Sequence, residues 1–83
     1  MKLKIYSIKD TVVGEYQSPI YMANDGTALR AVTNAVNSAQ ENPVKENAVD
    51  KQLYCLGEFD TDTGVIESDV RFIAKLADLI TKE

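Results

Sequence analysis

Residues 51–59, KQLYCLGEF, constrain the fold of this chain more than any other stretch. Read with period 2, Leu53, Cys55 and Phe59 share one face with Gly57, while Tyr54, Leu56 and Glu58 share the other. Both faces are partly apolar, which marks a central strand rather than a solvated edge. Its continuation, Asp60-Thr61-Asp62-Thr63-Gly64, reads as a hairpin closing onto Val65-Ile66, with a type I turn followed by glycine in the left-handed region.

A central strand needs neighbours, and the N-terminal segment supplies candidates. In KLKIYSI (2–8), Leu3, Ile5 and Ser7 alternate with Lys2, Lys4, Tyr6 and Ile8, the pattern of a half-buried strand. Gly14 suits a turn or bulge. SPIYM (18–22) reads as a short second strand whose Pro19 confines its beginning to an edge. After Asn24-Asp25-Gly26 the apolar residues Ala28, Leu29, Val32, Ala35, Val36 and Ala39 recur at helical spacing, opposite Arg30, Thr33, Asn34 and Asn37. This predicts a helix over about 25–39, capped by Asn24 or Asp25 and finished before Pro43. Residues 40–50 are a polar connector.

The tail SDVRFIAKLADLITKE admits two readings. Val70, Ile73, Leu76, Ala77 and Ile80 fit a helix begun by Ser68 or Asp69, whereas RFIAKL also alternates. The helical spacing is the fuller match. The expected architecture is therefore α+β: one domain over 1–83, with a small antiparallel sheet of two hairpins, a helix at about 25–39 and a C-terminal helix packed on it.

Chemistry is scarce in this chain. With no histidine among the 83 residues, Ser-His, Cys-His and His-metal arrangements cannot be built. Cys55, the single cysteine, lies mid-strand without a neighbouring base and reads as a small buried hydrophobe. The loop Asp60-x-Asp62-x-Gly64 resembles the start of a calcium loop. That loop would need an oxygen ligand at 64, glycine at 65 and glutamate at 71, where Gly64, Val65 and Arg71 stand. Hairpin-turn chemistry accounts for those acids better. Asn24-Asp25-Gly26-Thr27 could in principle cradle a phosphate, but Asp25 would repel it, and capping is the simpler role. No catalytic residue, metal ligand or cofactor is expected, and the chain reads as a binding protein.

A lone cysteine excludes an intrachain disulfide, which a small secreted domain would usually need, so a reducing compartment is expected. The start shows no apolar run of signal-peptide length, and no segment reaches the ~18 apolar residues of a membrane span. Net charge is −4, which argues against a protein that simply coats DNA through phosphate neutralisation. The charge is uneven, though: Lys2, Lys4 and Lys9 cluster at the start, whereas Glu58, Asp60, Asp62, Glu67 and Asp69 precede Arg71. Lys2, Lys4 and Tyr6, with Tyr21 and Arg30 as candidate neighbours, form the expected nucleic-acid-binding surface. Lysines would hold phosphates and tyrosines would stack bases. The competing reading is a charged solvent face that discourages edge pairing.

Three segments together, KLKIYSIKD, NDGTALRAVTNAVN and LYCLGEFDTDTGVIE, resemble the small non-structural protein of gokushoviruses, single-stranded-DNA bacteriophages of the Microviridae. The likeness runs over about residues 2–67, and GEFD followed by a TG turn is its most specific element. It keeps Ile5-Tyr6-Ser7, Asn24-Asp25-Gly26, Ala28-Leu29-Arg30-Ala31 and Gly57-Glu58-Phe59-Asp60, among which Arg30 is the residue that packing does not explain. The resemblance implies a protein of the host bacterial cytoplasm, not carried in the mature virion, that acts in viral single-stranded DNA synthesis or packaging. Two modes of action follow as expectations. In one, a homodimer binds single-stranded DNA. In the other, an adaptor engages a phage or host replication protein without touching DNA.

Overall fold

Alternation at the N-terminus and in the middle of the chain becomes pairing between distant strands. The computed structural model describes residues 1–81. Its elements are β1 (Lys2–Asp10), β2 (Glu15–Tyr16), β3 (Ile20–Met22), α1 (Asp25–Val36), β4 (Lys51–Asp60) and β5 (Ile66–Lys75), with 3-10 turns at Ala48–Asp50 and Leu76–Leu79. One antiparallel sheet runs β2-β1-β4-β5, and β3 also pairs with β1, so both expected hairpins and the central place of β4 are present.

The helix forms because Ala28, Val32 and Val36 recur every fourth residue and bury one stripe. Asn24 Oδ1 caps it by accepting from Thr27 N at 2.9 Å. That stripe packs on Tyr6 and Ile8 of β1 and on Leu53 and Cys55 of β4, with Ala48 and Leu76 closing the core. Cys55 is thus a buried packing residue. The helix ends at Val36 rather than near 39, because Asn37 takes over: its Nδ2 donates to Thr33 O in the last helical turn and to Leu79 O at the end of the 3-10 turn.

The expected C-terminal helix is corrected. Residues Ile66–Lys75 are the strand β5, and only Leu76–Leu79 turn, as a 3-10 turn. Ser68 and Asp69, read as helix caps, lie within the strand. β4 needs a partner on each side, and β5 provides the second one from Gln52↔Lys75 to Phe59↔Ile66. Two register shifts explain the misreading. The pairs Leu53↔Ala74 and Tyr54↔Phe72 leave Ile73 as an extra residue, and another extra residue falls between Ser68 and Arg71. Each bulge stretches a spacing of two into three, which imitates helical periodicity.

A bulge also corrects the faces of β4. Ile5↔Gly57 is followed by Tyr6↔Cys55, so Leu56 is skipped and the side-chain alternation reverses there. Leu53 and Cys55 face the core, but Gly57 and Phe59 lie on the side of Tyr54. Gly57, at φ 149°, is forced: a Cβ there would collide with the Glu67 carbonyl oxygen of β5.

The loop between β4 and β5 closes as expected. Gly64 is left-handed at φ 77°, Gly64 N donates to Asp60 O, and Asp62 N donates to the Asp60 carboxylate at 2.9 Å. That backbone N–H, before any other cause, holds the Asp60 carboxyl below its ordinary range.

Candidate nucleic-acid interface

Cross-strand partners share a face of a sheet, so the registers assign residues to sides. The even-numbered residues of β1 lie on the helix side, because Tyr6 and Ile8 are in the core. Lys2 and Lys4 therefore extend along that same side, past the start of α1. There they meet acids: Lys2 is opposite Asp60 and Lys4 opposite Glu58, which is opposite Glu67. Lys4, Glu58, Glu67 and Arg71 line a cavity of about 150 Å³.

Tyr6, expected to be exposed for stacking, is fully buried, which corrects its place in the surface. The alternation is as anticipated, but β1 is covered on both faces at its centre, where Ile5 and Ser7 are buried as well as Tyr6 and Ile8. Burial is feasible because the phenol finds a partner: Tyr6 OH donates to Asp25 Oδ1 at 2.5 Å. Arg71 donates to both oxygens of the same carboxylate, at 3.0 and 3.2 Å. The guanidinium, then the phenol, hold the Asp25 carboxyl below its usual range. Burial, then the Asp25 hydrogen bond, push the Tyr6 phenol upward, and Asp25 likewise raises Arg71. This triad ties β1, the helix start and β5 together.

The other anticipated residues do not converge. Tyr21 is 61% exposed and pairs with Ile5, on the side away from the helix. Arg30 is exposed on α1, with Asn24, Gly26 and Thr27 around it. Lys2, Lys4, Tyr21 and Arg30 thus occupy three different surfaces.

The side opposite the helix holds a different group. One row across it is Tyr16, Lys9, Gln52 and Lys75, and the next is Ser7, Tyr54 and Phe72. Then come Tyr21, Ile5, Gly57 and Ser68, and last Leu3, Phe59 and Ile66. Of the chain's four tyrosines and two phenylalanines, all but Tyr6 are here. Tyr54 is the hub, 5.7 Å from both Tyr16 and Phe72 in edge-on geometry. Tyr21 and Phe59 form a second pair, with centroids 6.4 Å apart. Lys9 Nζ lies 5.5 Å from the Tyr16 ring centre and 5.9 Å from that of Tyr54. Phe72 remains 49% exposed and Tyr16 42%. Among the described residues no helical element contributes to this side.

The carboxylates at pairing positions are confined to one side, where Lys2, Lys4, Lys51 and Arg71 also stand. Asp10, Glu15, Glu58, Asp60 and Glu67 all hold pairing positions on the helix side, whereas the open side has Lys9 and Lys75 and no carboxylate at a pairing position. Asp69, beside a bulge, has no cross-strand partner in the register.

Sequence reasoning found Tyr21 of this group and missed Tyr16, Tyr54, Phe59, Phe72, Lys9 and Lys75. The sequence pattern carries no signal for the group, because it sets Phe72 in a helix, Tyr16 outside any strand and Phe59 on the side away from Tyr54; all six aromatics in fact fall in strands. Among the described residues, no helix is long and apolar enough to cross a membrane. No curated protein and no solved structure matches the chain significantly. The model of the family described as phage ORF5 protein matches residues 3–79, nearly the whole chain and well beyond the segments that first showed a likeness. The chain belongs to the phage ORF5 protein family.

Proposed function

We propose that this is a non-enzymatic phage accessory protein that binds single-stranded DNA on the open side of its sheet, in viral DNA synthesis or packaging. The observation that carries the reading is the aromatic platform flanked by Lys9 and Lys75 and free of paired carboxylates. Bases stacked on such rings gain ~1–3 kcal/mol each without regard to sequence, and lysines at the margin neutralise phosphates. The net charge of −4 opposes such binding as a whole, but no carboxylate holds a pairing position among the rings, so the local balance there is set by Lys9 and Lys75. Membership of the phage ORF5 protein family supports a phage accessory role, and the resemblance to the gokushovirus non-structural protein is what favours genome synthesis in the host cell as its setting.

The platform is a poor match for itself. Two copies pressed face to face would bury Lys9 and Lys75 with no carboxylate at a pairing position on that side to receive them. An anionic ligand with flat rings removes that penalty. The adaptor reading draws on the opposite side, where Glu58, Asp60 and Glu67 offer an acidic rim to a basic replication protein. A fluorescence-anisotropy titration with single-stranded and duplex oligonucleotides at low and moderate salt separates the two. Preferential single-strand binding that Tyr54→Ala weakens supports the proposal. No binding at low salt, together with a partner retained from infected cells after nuclease treatment, selects the adaptor.

A further inference from the structure

The two edges of the sheet are unlike. One is covered by the two-residue β2 and the three-residue β3, which follows Pro19, so little unpaired backbone is left there. The other is β5, ten residues long and free of proline, with Ile66 66% and Val70 58% exposed. Its hydrogen bonds go to β4, and among the described residues nothing pairs with its outward N–H and C=O groups. Its charges and bulges limit indiscriminate pairing, but an unpaired edge of this length remains a template for a strand that matches them.

The order of charges on β5 selects the strand. Glu67 and Asp69 come first, Arg71 and Lys75 last. An antiparallel copy sets the half with Glu67 and Asp69 against the half with Lys75 and the Asp25-bound Arg71, an attraction between strand halves rather than a set of direct ion pairs, whereas a parallel copy sets like against like. Antiparallel self-pairing is also what a closed two-fold dimer requires. We infer that β5 is the interface of a symmetric homodimer, with a second copy of this chain as its partner. The two bulges of β5 shorten the new ladder to a few pairs, and Ile66 and Val70 add apolar contact around it.

This geometry has a consequence for the proposed DNA-binding side, and that part rests on the proposal above. The two-fold axis of an antiparallel strand pair is perpendicular to the sheet, so both aromatic platforms face the same way. They form one continuous track across two chains, with the β5 residue Phe72 of each near the middle. A single strand long enough to cross both copies engages two platforms at once, and its affinity rises by roughly 10²-fold over a strand that reaches one.

Sedimentation velocity of the full chain, from micromolar to submillimolar concentration, tests the interface. The expected mass is twice the 9.2 kDa of one chain, and Val70→Lys returns it to one. Ile66→Lys, at the most exposed apolar position of the strand, serves if Val70→Lys fails to fold by circular dichroism. Tyr21→Ala, on the open side and away from β5, leaves the dimer intact. A monomeric wild-type chain, or a dimer that survives both edge substitutions, overturns the inference. Oligonucleotide titrations keep the two claims apart. A dimer without DNA affinity defeats only the proposed function, whereas a monomer that binds short strands with no gain from longer ones defeats only the dimer.

Discussion

The two sides of the sheet use aromatic residues in opposite ways. The helix side takes one, Tyr6, buries it completely and satisfies its hydroxyl with Asp25, itself held by Arg71. The other side takes five and leaves three of them, Tyr16, Tyr21 and Phe72, more than two-fifths exposed. A chain of 83 residues has little apolar surface to spare for its core. Leaving rings in water therefore forgoes stability, and large apolar patches on small proteins mark places where something binds. One side specifies the fold, while the other buries Ile5 and Ser7 at its centre and leaves rings exposed on the short strands and on β5.

Substitutions that separate stability from binding test that division. Leu53→Ala on the helix side, fully buried, should cost about 2–5 kcal/mol in chemical denaturation. Phe72→Ala on the open side should cost about 1 kcal/mol or less. Equal losses would mean that the open side is also core. For the proposed ligand the ranking reverses. Tyr54→Ala, at the hub of the rings, should weaken single-strand binding by ~1–3 kcal/mol in anisotropy titrations, while a folded core variant binds as the parent does.

Smaller effects come from the polar groups. Tyr6→Phe removes a hydrogen bond to a charged carboxylate and should lower stability by about 1–2 kcal/mol. Asp25 supplies a pH signature. Its folded carboxyl titrates below the unfolded one, so its contribution is complete above the ordinary carboxylate range near pH ~4 and is lost as pH falls through the lower folded value. Acid denaturation of Asp25→Asn should therefore be flatter in that window than that of the parent. The smallest effect is on salt dependence. Removing both lysines in Lys9→Ala/Lys75→Ala should reduce the slope of log affinity against log salt by about 1.4. An unchanged slope would place the phosphates elsewhere, with Lys2, Lys4 or Arg30 as the next positions to substitute.

Much of the helix side was legible in the sequence. The spacing of Ala28, Val32 and Val36 identified the buried stripe, Asn24 its cap, and Gly64 the turn after Asp60. The open side was not, for one physical cause acting in three places. Period-2 reading assumes an unbroken ladder, and bulges break it at Leu56, at Ile73 and between Ser68 and Arg71. The first moved Phe59 to the side of Tyr54, and the other two made a strand resemble a helix. Tyr6 failed for another reason. Alternation groups residues by side, but Ile5, Tyr6, Ser7 and Ile8 are all buried, and the group that lets a phenol be buried, Asp25, lies far along the chain.

The proposed function turns on whether single-stranded DNA meets the open side of the sheet. Titrating the isotope-labelled chain with a single-stranded oligonucleotide, while recording amide and aromatic resonances, locates the contact directly. Progressive shifts centred on Tyr16, Tyr54, Phe59 and Phe72, with α1 and Lys2 little changed, are the predicted result. Shifts confined to Arg30, Lys2 and Lys4, or none under low salt, would contradict it.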